Sequence, residues 1–239
     1  MIAKFDLHVH SAASHDGRMS LDEIARLAKT AGLNGVAVCD HDTVLTDVPP
    51  NTEVLLIPGA EFSTECGHLL GLFLTAPIPK MPFADTVAAI HAQGGLAVLA
   101  HPFERSRDGA RLAEIAPLLD GIEVWNGRAD RKIGDANALA RAYADAAGLR
   151  PFAGSDAHIP KEIGNGVVTL EVEALTLPAV KAALMTQPVT VTGRRGPSLA
   201  VARSQLTKLK KTGAPMRRYL KWCLFAAKCA AEDLCKGEA

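Results

Sequence analysis

Short apolar runs recur along this chain, and nearly every one ends at a cluster of ionisable residues. Ile2 to Val9 reads as a strand, and Val36 to Cys39 reads as a short buried strand ending at Asp40-His41-Asp42. Val54 to Ile57 leads to Gly59-Ala60-Glu61, Leu69 to Leu74 follows His68, and Leu96 to Ala100 ends at His101-Pro102. Gly121 to Trp125 ends at Asn126, Pro151 to Ala153 leads into Gly154-Ser155-Asp156-Ala157-His158, and Val167 to Val172 and Val189 to Thr192 complete the series. Segments of helical spacing lie between them. Ser20 and Glu23 have capping-box spacing at the head of a helix to about Ala31. Further helices are predicted over Phe83 to Gln93, Arg111 to Leu119 with a kink near Pro117, Arg131 to Ala147 with Gly148 as its stop, and Thr176 to Met185. This alternation favours an α/β fold with a parallel sheet and outer helices.

Closing such a sheet into a barrel gathers the loops after the strands on one face, where active sites form. All the ionisable clusters except His68 fall on that face. An open doubly wound sheet is the alternative, but its ligands collect at one crevice instead of arriving from nearly every strand. No phosphate-binding Walker loop, dinucleotide fingerprint or fixed-period repeat is present.

Composition adds a polarity. The chain has 239 residues and 48% hydrophobic content, enough for one sizeable core. Its formal charge is zero, yet residues 194–239 hold 11 Lys and Arg against 3 Asp and Glu, a net +8, so the preceding residues carry −8. We divide the chain into a barrel over 1–197 and a basic helical extension over 198–239. In the extension Arg217, Lys221, Lys228 and Glu232 trace a narrow polar stripe among Tyr219, Leu220, Trp222, Cys223 and Phe225. That pattern favours docking on the barrel or a sister subunit. The runner-up is contact with nucleic acid through Arg194, Arg195, Lys208, Lys210 and Lys211. Five cysteines without a CxxC pair, no apolar leader and no membrane-length apolar run lead us to expect a soluble cytoplasmic protein with free thiols and no membrane contact.

Imidazoles and carboxylates set at strand ends are the usual ligands of zinc, manganese and iron. The ordered motifs DLHVHS, CDHDT, GAEFS, the histidine of GHLLGLF, AHPF, EVWN and GSDAH, from Asp6 to about Thr192, resemble the polymerase and histidinol phosphatase (PHP) family of metal-dependent phosphoesterases. The resemblance implies a distorted seven-stranded (β/α)7 TIM-like barrel with two or three divalent ions (Zn, Mn or Fe). It further implies that His8, His10 and Asp156 hold one ion, that Glu61 bridges it to a second held by His68 and His101, and that Asp16, His41 and His158 hold a third. His15 separates Asp16 from the serine that many members place directly before the aspartate, and Cys39 stands where threonine is commoner. Cys39 is expected to be a buried structural thiol and His91 a packed, hydrogen-bonded core histidine. Asp40 and Asp42 are expected to orient imidazoles or cap their loop, and Glu123 and Asn126 to support the ligands from behind. Arg128 and Arg105 are either partners of a substrate phosphate or ordinary solvated arginines.

The expected reaction is hydrolysis of a small phosphorylated metabolite or nucleotide by metal-activated hydroxide, with His158 as acid if no metal holds it. Histidinol phosphate and a short oligonucleotide are alternative substrates, nucleic acid being the less favoured partner. A non-catalytic interaction protein built around structural metal is the rival from another class. Amidohydrolase-like barrels with similar histidine motifs typically bridge their metals with lysine, and Glu61 occupies that place here.

Overall fold

Nine strands form one sheet in this computed structural model, which describes residues 1–48, 53–105 and 110–236. The strands are β1 (Ile2–Val9), β2 (Gly35–Val38), β3 (Leu55–Thr64), β4 (Gly67–Leu72), β5 (Leu96–Leu99), β6 (Gly121–Asn126), β7 (Arg150–Gly154), β8 (Gly166–Glu171) and β9 (Thr190–Gly193). Their order is β7-β6-β5-β4-β3-β2-β1-β8-β9. The sheet curls until its first strand meets β1, where His10 N donates to Ala157 O at 2.8 Å and Asp156 N to His8 O at 2.8 Å. The result is a nearly closed TIM-like barrel with nine strands where seven were expected, and not all are parallel. β4 runs antiparallel to β3 and β5, and β8 runs antiparallel to β1 and β9.

The antiparallel β4 moves one residue against expectation. A reversed strand brings its first residues to the mouth where its neighbours end, so His68, the second residue of β4, joins the other clusters. A hairpin at Glu65-Cys66 replaces a crossover helix there.

The helices are α1 (Leu21–Thr30), α2 (Phe83–Ala92), α3 (Ala110–Ile115), α4 (Ala136–Ala147), α5 (Leu177–Thr186), α6 (Ser198–Lys211) and α7 (Met216–Lys236). Ser20 Oγ caps α1 by accepting from Glu23 N at 3.1 Å. α4 starts five residues later than the sequence suggests, because a separate 3-10 turn over Ala129–Arg131 and then Gly134-Asp135 intervene. It stops at Gly148, whose φ of 66° is left-handed. Of the expected extension, residues 237–239 lie outside the described residues.

Phe5, Leu7, Ile57, Leu70, Val98, Phe152 and Leu170, from strands around the whole barrel, fill its interior together with Val180 and Leu184 of α5. A second cluster packs α2 and α4 on β3 to β6 through residues such as Phe83, Ile90, Ile122 and Ala140. The third, with Met19, Ile24, Ala28 and Val36, seats α1, and it includes Val9. Strict alternation along β1 would put Val9 on the same side as Phe5 and Leu7. The pairing with β2 slips between Asp6 and Val9, and this bulge turns Val9 outward. His8 and His10 thereby face the barrel mouth.

Candidate metal centre

The nine residues expected to ligate metal converge at one end of the barrel. Glu61 of β3 is the focus and is buried. Its Oε1 lies 2.7 Å from His68 Nδ1 and 3.1 Å from His101 Nε2. Its Oε2 lies 2.9 Å from His41 Nδ1, 3.4 Å from His10 Nε2 and 3.7 Å from His8 Nε2. Five imidazoles therefore surround one carboxylate. Burial alone would raise the pKa of Glu61, but protonated His8 and hydrogen bonds from His101, His41 and His68 hold it well below the usual range.

His8 and His10 show how the lone pairs are aimed. His8 Nδ1 donates to Glu123 Oε1 at 3.0 Å, since a carboxylate only accepts. Ser14 Oγ gives its hydrogen to Asp40 Oδ1 at 2.6 Å and so accepts from His10 Nδ1 at 3.0 Å. Both rings then turn Nε2 inward, and the two Nε2 atoms stand 3.0 Å apart. Bare lone pairs at that distance repel, so a cation or a shared proton must lie with them. Without metal a proton serves: burial opposes it, but Glu123, Asp156 and Glu61 raise the pKa of His8, while burial and His158 lower that of His10. Asp156 Oδ1 lies 3.3 Å from His10 Nε2 and 3.9 Å from His8 Nε2, completing a group of three donors. Such a set of nitrogen and oxygen donors fits a divalent ion.

A second grouping joins Glu61, His68 and His101. A third joins His158 Nε2 and His41 Nε2 to Asp16 Oδ1, at 3.2 and 3.5 Å. His158 Nδ1 donates to Asp156 O at 2.8 Å, which leaves its Nε2 for this third grouping. Inserted His15 stacks on His41 with centroids 4.6 Å apart and lies 3.4 Å from Asp16 Oδ2. Burial alone would raise the pKa of Asp16, but His158 and His41 push it far below the carboxylate range. Two residues of these groupings, His101 (φ 27°) and Asp156 (φ 56°), hold left-handed backbone. That conformation costs roughly 1–3 kcal/mol for an ordinary residue and collects at functional sites.

The supporting residues explain the precision. Asp40 accepts from Ser11 N, Ser11 Oγ, Ser14 N and Ser14 Oγ, at 2.6 to 3.1 Å, so it both ties the loop after β1 and orients His10 through Ser14. Glu123 Oε2 accepts from His101 N at 2.9 Å and Asn126 Nδ2 at 3.0 Å, so one carboxylate links His8 to His101. Asp6 accepts from Ser155 N and Gly164 N, each at 2.8 Å, and burial pushes its pKa up to about 6. It fixes β1 to the loops that carry Asp156 and His158. The sequence singled out both Ser14 and Asp6 as motif positions but gave no signal for these roles.

Some expectations change and others hold. His91 is exposed and pairs with Asp120 Oδ2 at 2.8 Å, so it is a surface group and not a core one. Cys39 is the buried thiol expected, with Sγ 3.7 Å from Leu7 O, and burial pushes its pKa up. Arg128 is neither solvated nor a free anion clamp: Nε and Nη2 bind both oxygens of Glu162, at 2.7 and 2.6 Å, and Nη1 donates to Ser204 Oγ at 3.2 Å. Arg105 is largely exposed and lies 3.6 Å from Glu104.

Helices α6 and α7 close over the cluster. Lys211 Nζ donates to Ala12 O, Ser14 O and Gly17 O at 2.7 to 2.8 Å, which pins α6 to the loop of Asp16 and removes Lys211 from the set of free phosphate contacts. Arg194 and Arg195 line a different cleft. Between helices and cluster lies a cavity of about 520 Å³ whose wall includes Lys208, Leu209, Trp222 and Phe225. No helix among the described residues is long and apolar enough to cross a membrane.

Comparison with known proteins decides the family. The model of the PHP domain matches residues 6–131, and that of the PHP-associated region matches residues 134–184. The chain belongs to the PHP domain family. An uncharacterized protein of Methanocaldococcus jannaschii is 34% identical over 175 residues, 69% of each chain. A Haemophilus influenzae protein named 5'-3' exoribonuclease is 38% identical over 90 residues, 34% of this chain and 32% of that one. Among solved structures, a two-domain Bacteroides vulgatus protein containing a predicted PHP-like metal-dependent phosphoesterase aligns with TM-score 0.65 at 18% identity, over 87% of this chain and 70% of that one. The PHP matches stop at residue 184, so α6 and α7 lie beyond both family models.

Proposed function

We propose that this PHP protein is a metal-dependent phosphoesterase that hydrolyses a small phosphorylated metabolite or nucleotide. The observation that carries the reading is the buried Glu61 with five imidazoles around it, a donor set matched to more than one cation. His8, His10 and Asp156 would hold one ion, His68 and His101 a second shared through Glu61, and Asp16, His41 and His158 a third. Bound divalent ions would supply the positive charge that draws in phosphoryl oxygens and makes water acidic enough to attack near neutral pH. Glu123 and Ser14 keep Nε2 of His8 and His10 free by holding the protons on Nδ1. His158 Nε2, beside Asp16 at the cavity wall, is placed either to complete the third grouping or to protonate the leaving oxygen.

The cavity under α6 and α7 favours a small substrate over a polymer. Removal of a terminal nucleotide from a short oligonucleotide is the second reading, favoured by the name of the H. influenzae relative. The test is metal content by mass spectrometry with phosphate release from histidinol phosphate, nucleoside mono- and bisphosphates and short oligonucleotides, for the wild type and Glu61→Gln. Two or three ions per chain with turnover that the variant loses supports the proposal. Retained ions with no turnover of any ester would overturn it in favour of a non-catalytic interaction protein.

A further inference from the structure

We propose that the α6–α7 hairpin is a substrate-binding cap, in which Lys208, Arg218 and Lys221 form a subsite for a second anionic group of the substrate, remote from the ester that is cleaved. The inference deepens the phosphoesterase reading and rests on it for the identity of the first anion.

The hairpin is a built part of the site. Asp233 of α7 accepts from Ser198 N at 2.7 Å and Leu199 N at 2.9 Å, capping α6 where Pro197 offers no side chain. Trp222 Nε1 donates to Ala202 O at 2.7 Å, and the Arg131 guanidinium lies 5.4 Å over the Phe225 ring. With Lys211 fastened to the loop of Asp16, the hairpin is held at its base, its middle and its turn.

Its inner wall is then chemically divided. Trp222, Phe225 and Leu209 give an apolar surface for the body of a ligand. Lys208, Arg218 and Lys221 give three cations on the same cavity. The barrel's own cations there are engaged: Arg128 binds Glu162, Lys132 Nζ binds Glu104 Oε1 at 2.7 Å, and Arg105 faces Glu104. Among the described residues no carboxylate lies within 4.0 Å of Lys208, Arg218 or Lys221. Three unpaired cations around one concave wall repel one another, and an anion in the cavity relieves that repulsion. The floor takes the ester phosphate, so these cations fit a second phosphate or a carboxylate at the far end of the same molecule.

The test uses the full-length, metal-loaded protein and non-hydrolysable ligands, so that it does not depend on turnover. Binding of ω-phosphonocarboxylates and α,ω-alkane bisphosphonates with two to six carbons is measured by calorimetry against alkylphosphonates of equal length. We expect one spacer length at which the second anion improves Kd at least tenfold. A Lys208→Ala, Arg218→Ala, Lys221→Ala variant should reduce that preference to within twofold. Lys210→Ala, outside the cavity, should preserve it. The carboxylate and phosphonate arms tell which anion is preferred. Equal binding at every spacer, or a preference that survives the triple variant, overturns the inference. A preference in a protein that cleaves no ester would retain this subsite and sink the phosphoesterase reading instead.

Discussion

Glu123→Gln changes one atom of a buried side chain, and the hydrogen bonds around it make the consequence calculable. Glu123 accepts from three donors: His8 Nδ1 on one oxygen, His101 N and Asn126 Nδ2 on the other. Glutamine has one oxygen and one NH₂ for the same places. If the oxygen stays toward His8, the NH₂ faces two N–H donors. If the amide flips, the NH₂ faces His8 Nδ1 and forces the proton to Nε2, the atom directed at His10. Either way the charge-assisted character of these hydrogen bonds, worth about 1.5–3 kcal/mol, is lost. In the first case donors are also left facing a donor, a further cost of roughly 1–3 kcal/mol, and in the second the protonated Nε2 has no lone pair left for a metal. Partners behind metal ligands usually contribute about 10–100-fold to metal affinity, or about 1.4–2.7 kcal/mol. We expect a loss of that size in competitive metal titration, with one ion released first on dialysis against chelator. Full ion content and affinity within twofold of the wild type would refute the argument that Glu123 aims His8.

Three other outcomes follow from the same geometry. In the metal-free protein His41 and His101 have pKa values raised to about 10 and about 9: burial alone would lower both, but hydrogen bonds to Asp16 and Glu61 for His41, and to Glu61 for His101, outweigh it. The folded state then binds more protons than the unfolded one above the ordinary value of 6.5, so this stability is fully present below pH 6.5 and lost as pH rises through 9 to 10. The thermal midpoint of chelator-treated protein should fall across that window, and a flat or rising midpoint would contradict the assigned protonation. Gly154→Ala would set a Cβ 2.2 Å from His8 Cβ and 2.8 Å from His8 N. Overpacking of about 1–3 kcal/mol and weakened metal binding are expected from denaturant melts and metal titration, and an unperturbed variant would show that β7 need not approach β1 so closely. Lys211→Ala should speed hydrogen exchange in residues 11–17 and in α6, and unchanged exchange would show that the lysine does not fasten the hairpin.

Much of this was legible because strand ends carry the chemistry. Apolar runs located all nine strands, and the polar clusters beside them located the barrel mouth. What the pattern missed lay in geometry that no local spacing encodes. His68 falls on the unexpected end of its run because β4 is reversed, and a hairpin of two residues is too short to announce the reversal against a series of crossovers. The bulge in β1 is equally silent: Leu7, His8, Val9 and His10 read as simple alternation, yet the slip against β2 is what sends Phe5 and Leu7 to the core while His8 and His10 reach the mouth. His91 looked like a core residue because α2 is largely apolar, but Asp120 reaches it from the surface.

The extension shows a different limit. α7 carries apolar residues on most of its circumference, so its sequence admits more than one docked face. The face that packs runs through Trp222, Phe225, Cys229 and Asp233, at helical spacing, while Met216, Leu220, Leu224 and Leu234 stay exposed. Hydrophobicity does not separate these two sets. Polar demand does: Pro197 leaves the first amides of α6 without a cap, and Asp233 satisfies two of them only if α7 folds back with that face inward. Lys211 adds the second constraint by seeking the three carbonyls of the Asp16 loop. Thus a buried carboxylate and one lysine, and not the apolar stripe, set where the basic helices sit. That position carries Lys208, Arg218 and Lys221 to the mouth of the candidate metal centre.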